Sequence, residues 1–87
     1  MNHTLKIPEK VKKYHIKAGE YVTIDTMGLS CILGTSDKAV YIKAKHGEDD
    51  KDAFTLNVGE RIEFCSDSLV VFADGDADVC CIFFSTL

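Results

Sequence analysis

The sequence predicts an all-β fold, an antiparallel β-sandwich of jelly-roll type with roughly eight strands, with a closed barrel as the alternative. Three observations indicate this class. Apolar residues alternate with polar ones at a period of two, and no segment shows the period of 3.6 that is typical of a helix. Turn-forming residues recur at short intervals between these segments, and the chain has a single proline. A length of 87 residues fits one domain.

One pattern occurs twice, forty residues apart. In each copy an apolar segment passes through a Gly-Glu turn into an alternating strand, which is typical of an antiparallel hairpin. When residues 14–45 are laid over residues 54–85 without gaps, 14 of the 16 apolar positions in the first window coincide with apolar residues in the second. Only four positions are identical. A duplicated four-strand unit and the generic resemblance of two β-meanders are both compatible with this pattern.

The turns of the two copies are interpreted as structural and equivalent. We expect Gly19 and Gly59 to supply backbone freedom, because glycine adopts a positive φ without steric cost. Glu20 and Glu60 then begin the strands that follow.

The predicted strands follow in chain order. The first spans residues 14–17, with Tyr14 and Ile16 facing the core, and the second places Val22 and Ile24 inward. The remaining predicted strands are 29–33, 40–43, 54–58, 61–64, 69–72 and 79–84. The polar segment 46–52 is predicted to be an exposed linker between the two halves.

Charge is distributed unevenly along the chain. Residues 1–17 carry a net charge of +4 and the remainder a net charge of −8. This predicts a basic N-terminal arm over residues 1–13, ahead of one domain at residues 14–87. The lysines of the arm (Lys10, Lys12 and Lys13) are either solvated or lie along the acidic body of a neighbouring copy. The acidic body argues against nucleic-acid binding, which requires a basic surface on the domain itself.

The segment 79–84 is apolar at every position, so both of its faces need cover. Two interpretations are open. It is a central strand that is covered by the chain's own loops or N-terminal arm, or it forms an interface between subunits through Val79, Cys81 and Phe83.

No catalytic constellation, metal-ligand set or cofactor motif is found in the sequence, which predicts a protein that is not an enzyme. Asp74, Asp76 and Asp78 have the spacing that begins a calcium loop, but the glycine and the glutamate of such a loop are missing, so calcium binding stays undecided. The apolar segments are too short to span a membrane, and no signal peptide is evident. The sequence therefore predicts a protein that stays in the cell that makes it.

A family resemblance rests on the pattern Phe54-x-Leu56-x-Val58-Gly59-Glu60-x-Ile62-x-Phe64, followed by Ser68-Leu69-Val70-Val71-Phe72 and a terminal apolar strand. This pattern resembles the C-terminal part of small all-β bacteriophage virion proteins of the head decoration and head-fibre type. The resemblance implies a structural role, a homo-oligomer with a trimer favoured, attachment to capsid or other virion proteins, and a location in the virion after synthesis in the host cytoplasm.

A small-ligand or carbohydrate-binding module is the alternative function. Such modules present exposed aromatic side chains on a concave face. Tyr21 and Tyr41 are the candidates, and the chain contains no tryptophan.

Overall fold

A computed structural model of the chain describes residues 6–26, 28–43, 49–64 and 68–86. The strands are β1 (Lys6–Ile16), β2 (Tyr21–Asp25), β3 (Ser30–Thr35), β4 (Val40–Lys43), β5 (Phe54–Leu56), β6 (Arg61–Phe64), β7 (Ser68–Phe72) and β8 (Ala77–Thr86), with a 3-10 helix over Asp50–Asp52. They form two antiparallel sheets: sheet 1 has the strand order β1-β8-β3-β6, and sheet 2 has the order β2-β7-β4-β5. The predicted all-β sandwich is confirmed, and the strand order is that of an eight-stranded jelly roll.

The core lies between the inner faces of the two sheets. Ile16 and Ile24 are fully buried, and Tyr14 and Val22 pack against them at its edge, as the alternation predicts. The other buried apolar side chains of this cluster are Cys31, Leu33, Val40, Ile42, Leu56, Phe64, Leu69, Val71, Ala73, Ala77, Val79, Cys81 and Phe83. Burial of each large apolar side chain stabilises the fold by about 1.5–3 kcal/mol. Both sheets therefore contribute to one hydrophobic core.

The two Gly-Glu turns are equivalent in structure, but the hairpins predicted around them are wrong. The Glu20 amide donates to the Lys17 carbonyl at 3.0 Å, and the Glu60 amide donates to the Asn57 carbonyl at 3.0 Å. The third residue of each turn is a glycine with positive φ, as in type II turns. Each turn, however, joins a strand of one sheet to a strand of the other. The alternation specifies which side chains point inward, but it does not specify which strand is the neighbour.

The two halves of the chain are related in topology but not in register. If each strand of the first half is exchanged with the strand four places later, β1 with β5 and so on to β4 with β8, the strand order of sheet 1 becomes the strand order of sheet 2. Ile32 pairs with Ile82 in sheet 1, so an exact repeat at an offset of forty residues would pair Phe72 with Ile42 in sheet 2. Ile42 pairs instead with Val71, one residue away. Because the exchange of sheets is a property of any jelly-roll strand order, it does not by itself indicate a duplication.

The predicted boundary between an arm and a domain at residue 13 is wrong for residues 6–13. These residues form the first part of β1, which continues without a break to Ile16 and pairs with β8 along its whole length. The ladder shifts register between Pro8 and Lys10. Pro8 is accommodated because β1 is an edge strand, where an amide donor is dispensable. Residues 1–5 of the predicted arm, and residues 46–48 of the predicted linker, lie outside the described residues.

Candidate interaction surface

Strand β8 lies between β1 and β3, and its two faces have different environments. Val79, Cys81 and Phe83 point into the core and are 2%, 0% and 0% exposed. They pack against the chain's own sheets, so this fold does not present them to another subunit. The alternating residues Cys80 and Ile82 are half-buried on the outer face of sheet 1.

The outer face of sheet 1 contains two adjacent rows of side chains that run across all four strands. The first row consists of Val11, Ile82, Ile32 and Glu63, and the second of Lys13, Cys80, Gly34 and Arg61. Val11 is 57% exposed, and Ile32 and Ile82 are half-buried. Three apolar side chains from three different strands therefore form a continuous apolar stripe on this face.

Two connected grooves cross the second row. One has a volume of about 230 Å³ and lies over Gly34, between the apolar stripe and Arg61. The other has a volume of about 450 Å³ and is lined by residues of β1 and β8, including Lys13 and His15. Both grooves share Ser36 and Cys80. The missing side chain at Gly34 thus produces a depression next to the apolar stripe.

One end of the second groove carries a cluster of charged side chains. His15 Nδ1 lies 2.7 Å from Asp78 Oδ1, and His15 Nε2 lies 3.7 Å from Asp76 Oδ2. The hydrogen bond to Asp78 raises the pKa of His15 above its usual value. Asp76 also accepts a hydrogen bond from the Ala18 amide at 3.0 Å, which lowers the pKa of its carboxyl group. The cluster links β1, β8 and the turn that leads to sheet 2.

The three carboxylates of the acidic loop have different partners. Asp76 and Asp78 contact His15, while Asp74 accepts a hydrogen bond from the Tyr41 hydroxyl at 2.9 Å. Within residues 6–26, 28–43, 49–64 and 68–86, no group of three or more His, Cys, Asp or Glu side chains is placed to hold a metal ion.

The three lysines of the predicted arm lie on two sides of β1. Lys10 pairs with Phe83 and Lys12 pairs with Cys81, so both belong to the inner side, whereas Lys13 pairs with Cys80 and belongs to the outer face. The Lys10 ammonium lies 5.5 Å from the centroid of the Phe83 ring. Lysines on an edge strand hinder the addition of a further strand. The unpaired edge of β1 is therefore a poor docking site compared with the face beside it.

The outer face of sheet 2 contains an aromatic row formed by Tyr21, Phe72 and Tyr41. The ring centroid of Phe72 lies 5.1 Å from that of Tyr21 and 5.3 Å from that of Tyr41. The two tyrosines named as candidates for ligand binding are thus brought together. The Lys43 ammonium lies 4.8 Å from the centroid of the Tyr21 ring and 5.6 Å from that of Phe72, so a cation already occupies part of this aromatic surface.

The 3-10 helix lies over the outer face of sheet 2. Asp50 accepts hydrogen bonds from the Tyr21 hydroxyl of β2 and from the Lys43 ammonium of β4, the latter at 2.6 Å. These strands flank β7, so the helix bridges over β7. Val70 of β7 is outside the core cluster but only 1% exposed, and the side chain of Lys43 is 4% exposed. The chain therefore covers the middle of this face itself, while Tyr21 at its side remains 44% exposed.

The described thiols differ in exposure. Cys31 and Cys81 are fully buried between the sheets, while Cys80 is half-buried on the outer face. Burial raises the pKa of Cys81 to about 12, because the thiolate would be desolvated. Cys81 is therefore a protonated, unreactive core residue.

The sequence reasoning missed several residues of the outer face of sheet 1, notably Arg61, Glu63 and Ile32. A signal was present, since Arg61 and Glu63 alternate with the inward residues Ile62 and Phe64. The bond between Lys43 and Asp50 had no comparable signal, because both residues occur in polar segments that the sequence does not bring together.

No protein-family model matches the chain, and no curated protein matches it significantly. Within the described part of the chain, no helix has the length and apolar character needed to cross a membrane.

Proposed function

We propose that the protein is a non-enzymatic structural subunit that assembles with other protein subunits through the outer face of sheet 1. The observation that supports this proposal is the apolar stripe of Val11, Ile82 and Ile32 on that face. Removal of exposed apolar surface from water stabilises a complex by about 25 cal/mol per Å² before the costs of association are subtracted. The sequence predicted an interface at β8 through Val79, Cys81 and Phe83. The proposal uses the same strand but its opposite face, which carries Ile82.

The setting that we propose is the surface of a larger particle, as in a phage capsid decoration or head-fibre protein. The jelly-roll strand order supports this setting, since viral capsid proteins use it, although lectins and cupins do so as well. The resemblance of the sequence to small virion proteins favours the capsid among these.

The carbohydrate-binding alternative is less well supported. Its two candidate tyrosines donate their hydroxyl protons to Asp50 and Asp74, and the Lys43 ammonium lies over the Tyr21 ring. A sugar that stacks on the aromatic row would have to displace part of the chain.

The proposal is tested with particles purified from the source of the gene. We expect mass spectrometry to find the chain as a regular component of such particles, and the recombinant chain to co-sediment with particles that lack it. Ile82→Asp should abolish co-sedimentation, because it places a charge in the apolar stripe. Thr55→Asp, at an exposed position of sheet 2, is the matched control and should bind normally. Absence of the chain from particles, or binding that Ile82→Asp does not change, would refute the proposal.

A further inference from the structure

We infer that the outer face of sheet 1 binds a second copy of this chain face to face about a two-fold axis. This inference rests on the proposed function and specifies its partner. It is based on the chemistry of the two rows described above, because two of the four strands place complementary residues at neighbouring positions of the same face. On β6 these are Glu63 and Arg61, which have opposite charges, and on β3 they are Ile32, which protrudes, and Gly34, which leaves a depression.

Consider a two-fold axis that lies in the plane of the interface, perpendicular to the strands and midway between the two rows. It places each strand opposite the same strand of the second copy, and it places the first row of one copy opposite the second row of the other. Glu63 then faces Arg61 of the second copy, and Arg61 faces its Glu63. Ile32 lies over the depression at Gly34 of the second copy, and the same contact occurs in reverse. A single operation therefore forms two ion pairs and fills two depressions.

The other in-plane axis, which runs parallel to the strands, gives a poor fit. It would place β1 opposite β6 of the second copy and keep the rows in register. Lys13 would then face Arg61, so that two like-charge contacts replace the two ion pairs. Val11 faces a charged side chain with either axis, Lys13 with the first and Glu63 with the second, so it does not distinguish them. The second axis would also place Ile82 opposite Ile32, so the preference for the first axis rests on the charges of β6 and on the depression at Gly34. Complementarity thus selects one axis out of two, and an arbitrary partner protein would have no reason to match this pattern.

The space above Gly34 can receive a side chain. A Cβ atom built on Gly34 would lie 3.7 Å from the Glu60 carbonyl oxygen and 3.8 Å from Arg61 Cγ, which are ordinary contact distances. The groove of about 230 Å³ above it is lined by Ile82 and Arg61 among others. A branched aliphatic side chain from a second copy fits a depression of this kind.

The two-fold contact is closed, because each copy uses the same surface. It therefore predicts a dimer, or an assembly built from dimers, in place of the trimer implied by the family resemblance.

The test uses charge reversal in the full chain with mass measurement by light scattering. We expect the wild type to have twice the monomer mass. Arg61→Glu and Glu63→Arg should each be monomeric, because each places like charges opposite one another at two sites. A mixture of the two variants should again have twice the monomer mass, since both ion pairs form in the heterodimer.

Two further variants keep the test decisive. Gly34→Leu fills the depression in the monomer, so it should remain folded by circular dichroism but lose the dimer even if a charge-reversed variant fails to fold. Lys17→Glu, at an exposed position in the turn after β1 and outside the two rows, is the matched control and should remain dimeric.

A monomeric or trimeric wild type, charge-reversed variants that stay dimeric, or a folded mixture that stays monomeric would each overturn the two-fold contact. If the wild type is monomeric while Ile82→Asp still abolishes co-sedimentation with particles, the proposed function holds and only the two-fold contact fails.

Discussion

The outer faces of the two sheets are built on similar strands but differ in what covers them. On sheet 2 the chain covers Val70 and the Lys43 side chain with the 3-10 helix that Asp50 fixes to Lys43, while Tyr21 of the aromatic row remains 44% exposed. Sheet 1 carries the stripe of Val11, Ile32 and Ile82, which remains partly exposed to solvent. The chain thus buries part of the outer face of sheet 2 by itself, whereas the stripe on sheet 1 is the surface that we propose another subunit covers.

The largest expected effect separates the two faces of β8. Phe83→Ala should lower the free energy of unfolding by about 3–5 kcal/mol, because Phe83 is fully buried between the sheets and its truncation leaves a cavity. Phe84→Ala, one residue further on the half-buried outer side, should cost the isolated chain much less. Urea denaturation of both variants measures the contrast. Equal losses would show that the outer face of sheet 1 is as well packed as the core.

The next effect tests the cover on sheet 2. Asp50→Ala should lower the free energy of unfolding by less than Phe83→Ala does, because it leaves the buried Lys43 ammonium without this hydrogen bond while Asp50 itself is half-exposed. Asp52→Ala, an exposed carboxylate of the same 3-10 helix, is the control and should change little. Thermal denaturation followed by circular dichroism compares them. Equal stabilities of the two variants would mean that the helix does not contribute to covering this face.

A smaller effect concerns the turns between the sheets. Gly19→Ala and Gly59→Ala should each destabilise the fold by about 1 kcal/mol or more, because φ is +78° and +88° at these positions. Gly75→Ala is the control, because φ is not in this region there and the nearest atom to an added Cβ is the flexible Lys38 Nζ at 3.4 Å. Chemical denaturation should give similar losses for both turns. A loss at only one turn would show that the two connections between the sheets differ in stability. The outer faces of the two sheets would then not be directly comparable, because the strands that carry them are connected differently.

The smallest expected effect concerns the pH dependence of stability, to which a group on each outer face contributes in a different pH range. The pKa of His15 is raised by Asp78, so its contribution to stability should be full below the unfolded value of about 6.5 and should be lost as the pH rises through the folded value. The pKa of Asp50 is lowered by Lys43, so its contribution is present above the unfolded value and is lost as the pH falls through the folded value.

Urea midpoints measured across pH for the wild type, His15→Gln and Asp50→Asn test this contrast. His15→Gln should remove the dependence near neutral pH, and Asp50→Asn should remove part of the loss in acid. A loss of stability of the wild type on acidification from neutral pH towards 6, absent in His15→Gln, would contradict the assigned pair on sheet 1.

The sequence alone determined the class of the fold and much of its inward pattern. Alternation at a period of two identified Ile16 and Ile24 as core residues, and the unbroken apolar segment in β8 indicated that both faces of one strand need cover. The positive φ of Gly19 and Gly59 was also predictable from their turns. These properties depend on neighbours within a few residues, which a sequence pattern records directly.

The tertiary structure alone decided which strands are neighbours and which face each side chain occupies. Consecutive strands other than β4 and β5 lie in different sheets, residues 6–13 pair with β8, and Asp50 reaches Tyr21 across the face of sheet 2. For β8, alternation divides the residues into two sets without saying which set is inside. That choice depends on pairing with β1 and β3, two strands of the first half of the chain that are not consecutive and lie more than forty residues before β8. Such long-range contacts are set by the packing of the whole core, so no local pattern contains them.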